Sequence, residues 1–246
     1  MRTTIRTTIG ILTGLAFLAV QCVNRENPSN QETAEEANWV ILFDGSDTDQ
    51  WRDTKSEHFP EHGWLVEDGV LTVLAETEDH PGGHDIITKQ QYGNFELELE
   101  ARLTDGANSG IKYFVTDAFP GKEGDFLGLE YQLIHNEVHP DAKQGKDGNH
   151  KMAALYDLIA PPENITIHPP GEWNKVRILV NGNKVEHWLN GEKVLEYDRK
   201  SPAFRELVSL SKYKDLEKFG ELDQGHILLQ GHRDEVSFRN IRIRVW

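Results

Sequence analysis

The segment Leu129-Glu130-Tyr131-Gln132-Leu133-Ile134 puts a carboxylate and an amide two residues apart. Side chains alternate between the faces of a strand, so Glu130, Gln132 and Ile134 share one face, and Leu129, Tyr131 and Leu133 the other. The apolar face belongs to a core, which leaves Glu130 and Gln132 side by side on the opposite, concave face. Lys112, between Ile111 and Tyr113, likewise points away from the apolar side of its strand. Asn108-Ser109-Gly110 offers an amide, a hydroxyl and a permissive backbone where that strand starts, a set suited to sugar hydroxyls. Gln230 and His232 again share a face. Taken singly, each position also fits an ordinary solvated strand side chain.

Two further groups invite chemistry. Glu96, Glu98 and Glu100 form a row in which neighbouring carboxylates are about 6.5–7 Å apart, the lower end of the separation an inverting glycosidase uses. Three charges on one exposed strand face are more simply a soluble outer surface. His135, Glu137 and His139 alternate in a loop, with His150 a little further on; imidazole and carboxylate suit a divalent ion such as Zn²⁺. Loop spacing alone does not select that reading, so a divalent metal stays an open option. Trp173 and Trp188 fit core or hairpin packing better than sugar platforms.

The elements that must position these residues read as strands. FELELEARL (95–103) alternates cleanly, and WLVEDGVLTVL (64–74) folds back at Asp68-Gly69, a pair favoured in tight hairpins. Three consecutive strands are expected over 175–197, broken at Asn181-Gly182 and Asn190-Gly191. Others are expected at 39–43, 110–115, 129–134, 226–230 and 236–246. One helix is expected after Ser201-Pro202, where Phe204, Leu207, Val208 and Ser211 follow helical spacing. Many short strands with Gly-rich turns predict an all-β, two-sheet antiparallel sandwich. The polar stretches 120–128 and 135–172 are too long for simple turns and are candidates to carry function.

Composition sets the outer bounds. The 246 residues carry a formal net charge of −15 with 37% hydrophobic and 27% charged residues, which excludes a multi-span membrane protein. No Lys/Arg-rich stretch offsets the negative charge, so nucleic acid is not an expected partner. One cysteine excludes a disulfide framework. Arg2 and Arg6 precede an apolar run, Ile9–Val20, that ends at Gln21-Cys22; this is a secretory signal pattern, too short for a comfortable membrane span. Cys22 stands where a bacterial lipoprotein signal places its lipid-attachment residue, although Gln21 replaces the usual small residue before it. The reading is a signal peptide over 1–21, lipidation at Cys22, a polar tether over 22–38 and a folded body over 39–246. It implies export across the inner membrane and a lipid-anchored location in the cell envelope.

Nine local signatures occur in order: LFDG (42–45), WLVEDGVL (64–71), DIITKQQYGNFELELEARL (85–103), NSGIKY (108–113), LEYQLI (129–134), ALYDLIAPP (154–162), GEWNKVRILVNGNKVEHWLNG (171–191), LLQGH (228–232) and VSFRNIRI (236–243). Together they resemble the 3-keto-disaccharide hydrolase domain, formerly a domain of unknown function, over nearly all the chain after the tether. The resemblance implies a concanavalin A-like lectin/glucanase jelly roll and a carbohydrate substrate. It points to Glu130, Lys112 and His150 as catalytic candidates, and to Asn108, Ser109, Gln132, Gln230 and His232 as substrate-binding ones. Two departures stand out: Gln230-Gly231-His232-Arg233 replaces the usual QDHG, and His135 replaces a commonly acidic residue.

The implied chemistry follows from the ketone. A carbonyl at C3 acidifies the C2 proton, so a general base, Glu130 or His150, can remove it. The C1 glycosidic oxygen then leaves by β-elimination and water adds back. Lys112, or a metal, would stabilise the enolate oxygen. The alternatives are a two-carboxylate glycosidase and a non-catalytic, lectin-like surface lipoprotein, since fold does not fix function.

Overall fold

The computed structural model describes residues 38–246 together with Met1. The expected signal segment beyond Met1, Cys22 and the expected tether up to residue 37 lie outside the described residues. In chain order the strands are β1 (Trp39–Phe43), β2 (Trp51–Asp53), β3 (Trp64–Glu67), β4 (Val70–Val73), β5 (Ile86–Thr88), β6 (Phe95–Leu103), β7 (Asn108–Thr116), β8 (Leu127–Ile134), β9 (Asn174–Asn181), β10 (Lys184–Leu189), β11 (Glu192–Asp198), β12 (His226–Leu229) and β13 (Val236–Val245). A single α-helix, α1 (Pro202–Ser209), falls between β11 and β12 among the described residues.

The strands form two antiparallel sheets. The larger runs β11-β10-β9-β6-β13-β4-β3, with β1 beside the second half of β13; the smaller runs β2-β5-β12-β7-β8. This is the two-sheet sandwich expected from the alternation, with the jelly-roll architecture that the resemblance implied. Phe95, Leu97, Leu99, Ala101 and Leu103 of β6 are all buried, and they face the core that Ile111, Tyr113, Leu129, Tyr131 and Leu133 fill from the smaller sheet. Asp68 (φ 50°) and Gly69 (φ 77°) both adopt positive φ, the hairpin turn whose twist matches that of its strands. The expected helix is present, and the Ser201 side chain caps it by accepting the Phe204 N–H at 3.1 Å.

The structure adds β2 and β5, which pair with each other and extend the smaller sheet. It also lengthens β7 and β8, so that residues 127–128 of the first expected loop are strand. Most of 135–172 is irregular, with one 3₁₀ turn at Pro140–Lys143. The part nearest β8 is tied to it by backbone bonds: Ala153 N–H to Gln132 O (2.8 Å), Gln132 N–H to Ala154 O (3.1 Å) and Tyr156 N–H to Glu130 O (3.0 Å).

The glutamate row lies on the outer face of the larger sheet, as its pattern suggested, but it is not simply solvated. Glu96, Glu98 and Glu100 stand in register with Arg244, Arg242 and Arg239 of β13 and are ion-paired to them. Arg177 clamps Glu96 from the other side, leaving it 2% exposed. Several of these arginines stack on tryptophans: Arg242 on Trp39, Arg239 on Trp173 and Arg177 on Trp188. Both Trp173 and Trp188 therefore lie under arginines on the outer face rather than in the core.

Between the sheets, His187 of β10 is fully buried. Its Nδ1–H donates to the Ala153 carbonyl at 3.1 Å, so Nε2 accepts the Tyr113 hydroxyl at 2.8 Å, and that hydroxyl also meets the Tyr197 hydroxyl. Burial lowers its pKa to about 4, which keeps the ring neutral.

Candidate active site

The strand alternation that buries Ile111, Tyr113, Leu129 and Tyr131 turns Asn108, Gly110 and Lys112 of β7, and Glu130 and Gln132 of β8, to the side of the smaller sheet away from the larger one. Antiparallel register sets Lys112 opposite Glu130 and Gly110 opposite Gln132. Gln230 and His232 join them from the end of β12. With Asn108, Glu130 and Gln132 they line a cleft of about 180 Å³, closed on its other side by His139, Asp141, Tyr156 and Lys212.

Glu130 is 6% exposed. Burial raises its pKa above the ordinary carboxylate value; Lys112, Lys212 and His232 pull it down, and Asp85 adds a smaller upward push. Its side chain lies across Gly110, where an added Cβ would come within 2.4 Å of Glu130 Oε1. The glycine is thus a steric requirement of this carboxylate's position rather than of backbone conformation. Asn108 Oδ1 and Gln132 Oε1 are buried and have no hydrogen-bond partner among the described residues. Two unpartnered carbonyl oxygens in one cleft are costly unless a donor, such as a sugar hydroxyl, satisfies them.

Lys112 stands directly across from Glu130 beside the cleft, its Nζ 3.8 Å from Asp85 Oδ2, while Asp85 Oδ1 accepts the Gly231 N–H at 2.9 Å. The Gly231 departure has a steric reason here: a Cβ at 231 would lie 2.1 Å from the Gly83 carbonyl oxygen. His135, the other departure, lies outside the cleft. It lines a separate cavity of about 310 Å³ with Met152, Ile167 and His168.

Two expected site residues are placed otherwise. Ser109 is fully buried, and its hydroxyl donates to the Gln230 carbonyl at 2.8 Å, fastening β7 to the end of β12 instead of facing a ligand. His150 stands behind the cleft wall with Nδ1 3.0 Å from Asp141 and Nε2 3.1 Å from Asp157. Each nitrogen thus faces a carboxylate and not the cleft, and the ring packs on Tyr156 at 4.3 Å between centroids. The loop set considered for a metal is dispersed. His135 Nδ1 accepts the Gly106 N–H, His139 Nδ1 accepts the Asp141 N–H, and His150 is engaged as described. Among the described residues, no three His, Cys, Asp or Glu side chains form a group able to hold an ion.

Sequence reasoning missed Asp85, Asp141, Tyr156 and Lys212. Asp85 and Tyr156 do fall inside the ordered signatures, so position in a motif was a usable signal. Nothing marked Lys212, which follows α1 in the polar run Ser211-Lys212-Tyr213-Lys214. Its Nζ lies 4.1 Å from the Tyr156 ring centroid and 5.0 Å from that of Tyr213. Burial lowers its pKa, against the pull of Glu130.

The chain is similar to several known proteins. A 3-keto-disaccharide hydrolase of Bacteroides thetaiotaomicron is 36% identical over 244 residues, covering 89% of this chain and 82% of the relative. Two solved Parabacteroides distasonis proteins, each described as a candidate glycosyl hydrolase, share the architecture. One is 29% identical with a TM-score of 0.74, covering 87% of this chain and 97% of its own. The other is 28% identical with a TM-score of 0.63, covering 85% and 99%. Residues 38–244 match the 3-keto-alpha-glucoside-1,2-lyase-like domain, and the chain belongs to that family.

Proposed function

We propose that the protein cleaves 3-keto-glycosides, with Glu130 as the base that removes the C2 proton. The observation that carries this is a buried carboxylate of raised pKa, flanked by lysines and set beside two unpartnered amide oxygens in one cleft. A base whose pKa is shifted toward neutrality contributes about 10²–10⁴-fold. The electron pair released at C2 delocalises onto the C3 oxygen, and Lys112, fixed by Asp85, is suited to stabilise that developing charge. Elimination at C1 followed by water addition gives net hydrolysis. The name of the Bacteroides relative and the family membership support the substrate class. A glycosidase built on two carboxylates is less well supported, because Asp141 is engaged by His150. One observation also suits a lectin-like reading: open amide oxygens bind sugar hydroxyls whether or not a base is present.

The test is to follow C2–H of a 3-keto-disaccharide by NMR in D₂O with wild-type protein and Glu130→Gln. Wild type should exchange C2–H and release the aglycone, and Glu130→Gln should lose both by at least about 100-fold while still binding the sugar. Binding shifts without exchange in the wild type would establish the lectin-like reading instead. Because Glu130 must be ionised to act, the wild-type rate should rise with pH through its raised pKa.

A further inference from the structure

We propose that Lys212 is the general acid of the cleavage step, its ammonium giving a proton to the departing glycosidic oxygen. This rests on the reading of Glu130 as the enolising base and extends it to the bond that breaks. Base and acid belong to different walls of one cleft, Glu130 on β8 and Lys212 on the segment after α1. They influence each other's ionisation, yet no ion pair within 4.0 Å joins them among the described residues. A sugar ring between them would present C2–H to one and the C1 oxygen to the other.

How Lys212 is held distinguishes it from a static charge. Lys112 has a carboxylate neighbour, whereas Nζ of Lys212 rests against the faces of Tyr156 and Tyr213. An aromatic face attracts the cation without taking its proton, so the N–H bonds stay available to a leaving group. Burial further weakens its hold on the proton. The backbone is fixed as well: Lys212 N–H donates to Asp157 Oδ2 at 2.7 Å, and Asp157 Oδ1 meets His150 Nε2. His150 continues to Asp141 and packs its ring on that of Tyr156. His150 is thus a positioning residue, fastening Lys212 and the ring beneath its ammonium to one wall.

The proton balance closes. Glu130 takes the C2 proton and the enolate forms. Its electrons return to restore the C3 carbonyl and make the C1–C2 double bond, the C1–O bond breaks, and Lys212 protonates the departing oxygen. The neutral amine then accepts a proton from water as its oxygen bonds C1, and protonated Glu130 returns a proton to C2. Both groups end as they began.

Two 3-keto-glucosides that differ only in leaving group, 4-nitrophenol against a second glucose, test the assignment with Lys212→Met. C2–H exchange in D₂O should persist, which also shows that the variant is folded. Cleavage of the disaccharide should fall by about 100-fold or more, and cleavage of the nitrophenyl substrate by less than about 10-fold, since nitrophenolate leaves without an acid. The alkaline limb of the disaccharide pH–rate profile should disappear. Equal loss on both substrates, or unchanged cleavage of both, would overturn the proposal. Absence of exchange in the wild type would instead overturn the base reading on which it rests.

Discussion

Gly110 shows how tightly the individual residues of the cleft depend on one another. Adding one methyl group there puts carbon within 2.4 Å of the Glu130 carboxylate, and the Gly110 backbone has no positive φ that only glycine tolerates. Gly110→Ala should therefore cost about 1–3 kcal/mol of stability, leaving the protein folded because the crowded atoms end in a flexible side chain, but cut C2–H exchange sharply. A thermal melt alongside the exchange assay checks both halves; a large loss of stability with normal exchange would contradict it. At this scale the sequence was informative wherever strand alternation applied. It singled out Glu130, Gln132, Lys112, Asn108, Gln230 and His232, and all but Lys112 line the cleft, with Lys112 directly across from Glu130. It failed for Lys212 and Asp141, which reach the cleft from irregular segments whose placement only tertiary contacts fix. It also could not distinguish a histidine that faces a ligand from one with both nitrogens engaged, as His150 proved to be.

At the scale of elements, the cleft is the register of β7 on β8 plus the strip 153–156 bound along the free edge of β8. That strip includes Ala153, a non-glycine residue at φ 67°, and His187 reaches across the core to bond its carbonyl. The His187 pKa lies near 4 in the fold against an ordinary 6.5. The unfolded chain therefore binds the extra proton between those values. Its contribution is fully present above about pH 6.5 and lost as pH falls toward 4, amounting to about 3 kcal/mol. Denaturant melts from pH 7 to pH 4 should show this loss in wild type, and His187→Gln should flatten it while being less stable at pH 7; an unchanged slope in the variant would assign the acid sensitivity elsewhere. Long alternating strands were legible, but β2 and β5 were not. Each has three residues, too few to display a period, and Ile86, Ile87 and Thr88 are buried throughout, so no polar face marks them.

For the molecule as a whole, the two faces divide the work of the sandwich. The smaller sheet carries the cleft, while the larger sheet turns outward a lattice of arginine, glutamate and tryptophan that is neutralised within itself. The sandwich class was legible because turn residues and alternation recur along the entire body, whereas the glutamate row's arginine partners were hidden by a separation of about 140 residues. The N-terminal pattern leads us to propose lipid attachment at Cys22. Cells fed radiolabelled palmitate should label the wild-type protein and leave Cys22→Ala unlabelled and released from the membrane fraction; equal labelling of both would exclude attachment at that residue.

The position of β13 sets a timetable. The strand latest in the sequence lies inside the larger sheet, with β6 on one side and β4 and β1 on the other. Without residues 236–245 that sheet is three separate pieces: β11-β10-β9-β6, in which short hairpins join β9, β10 and β11 while β6 pairs from far away in the sequence, the β3–β4 hairpin, and β1, whose partner is β13. The core consequently cannot close before residues 236–245 join it, and non-local closure of this kind is slow. The apolar inner faces of β6, β9 and β4 therefore lack a complete covering sheet until residues 236–245 take their place between them.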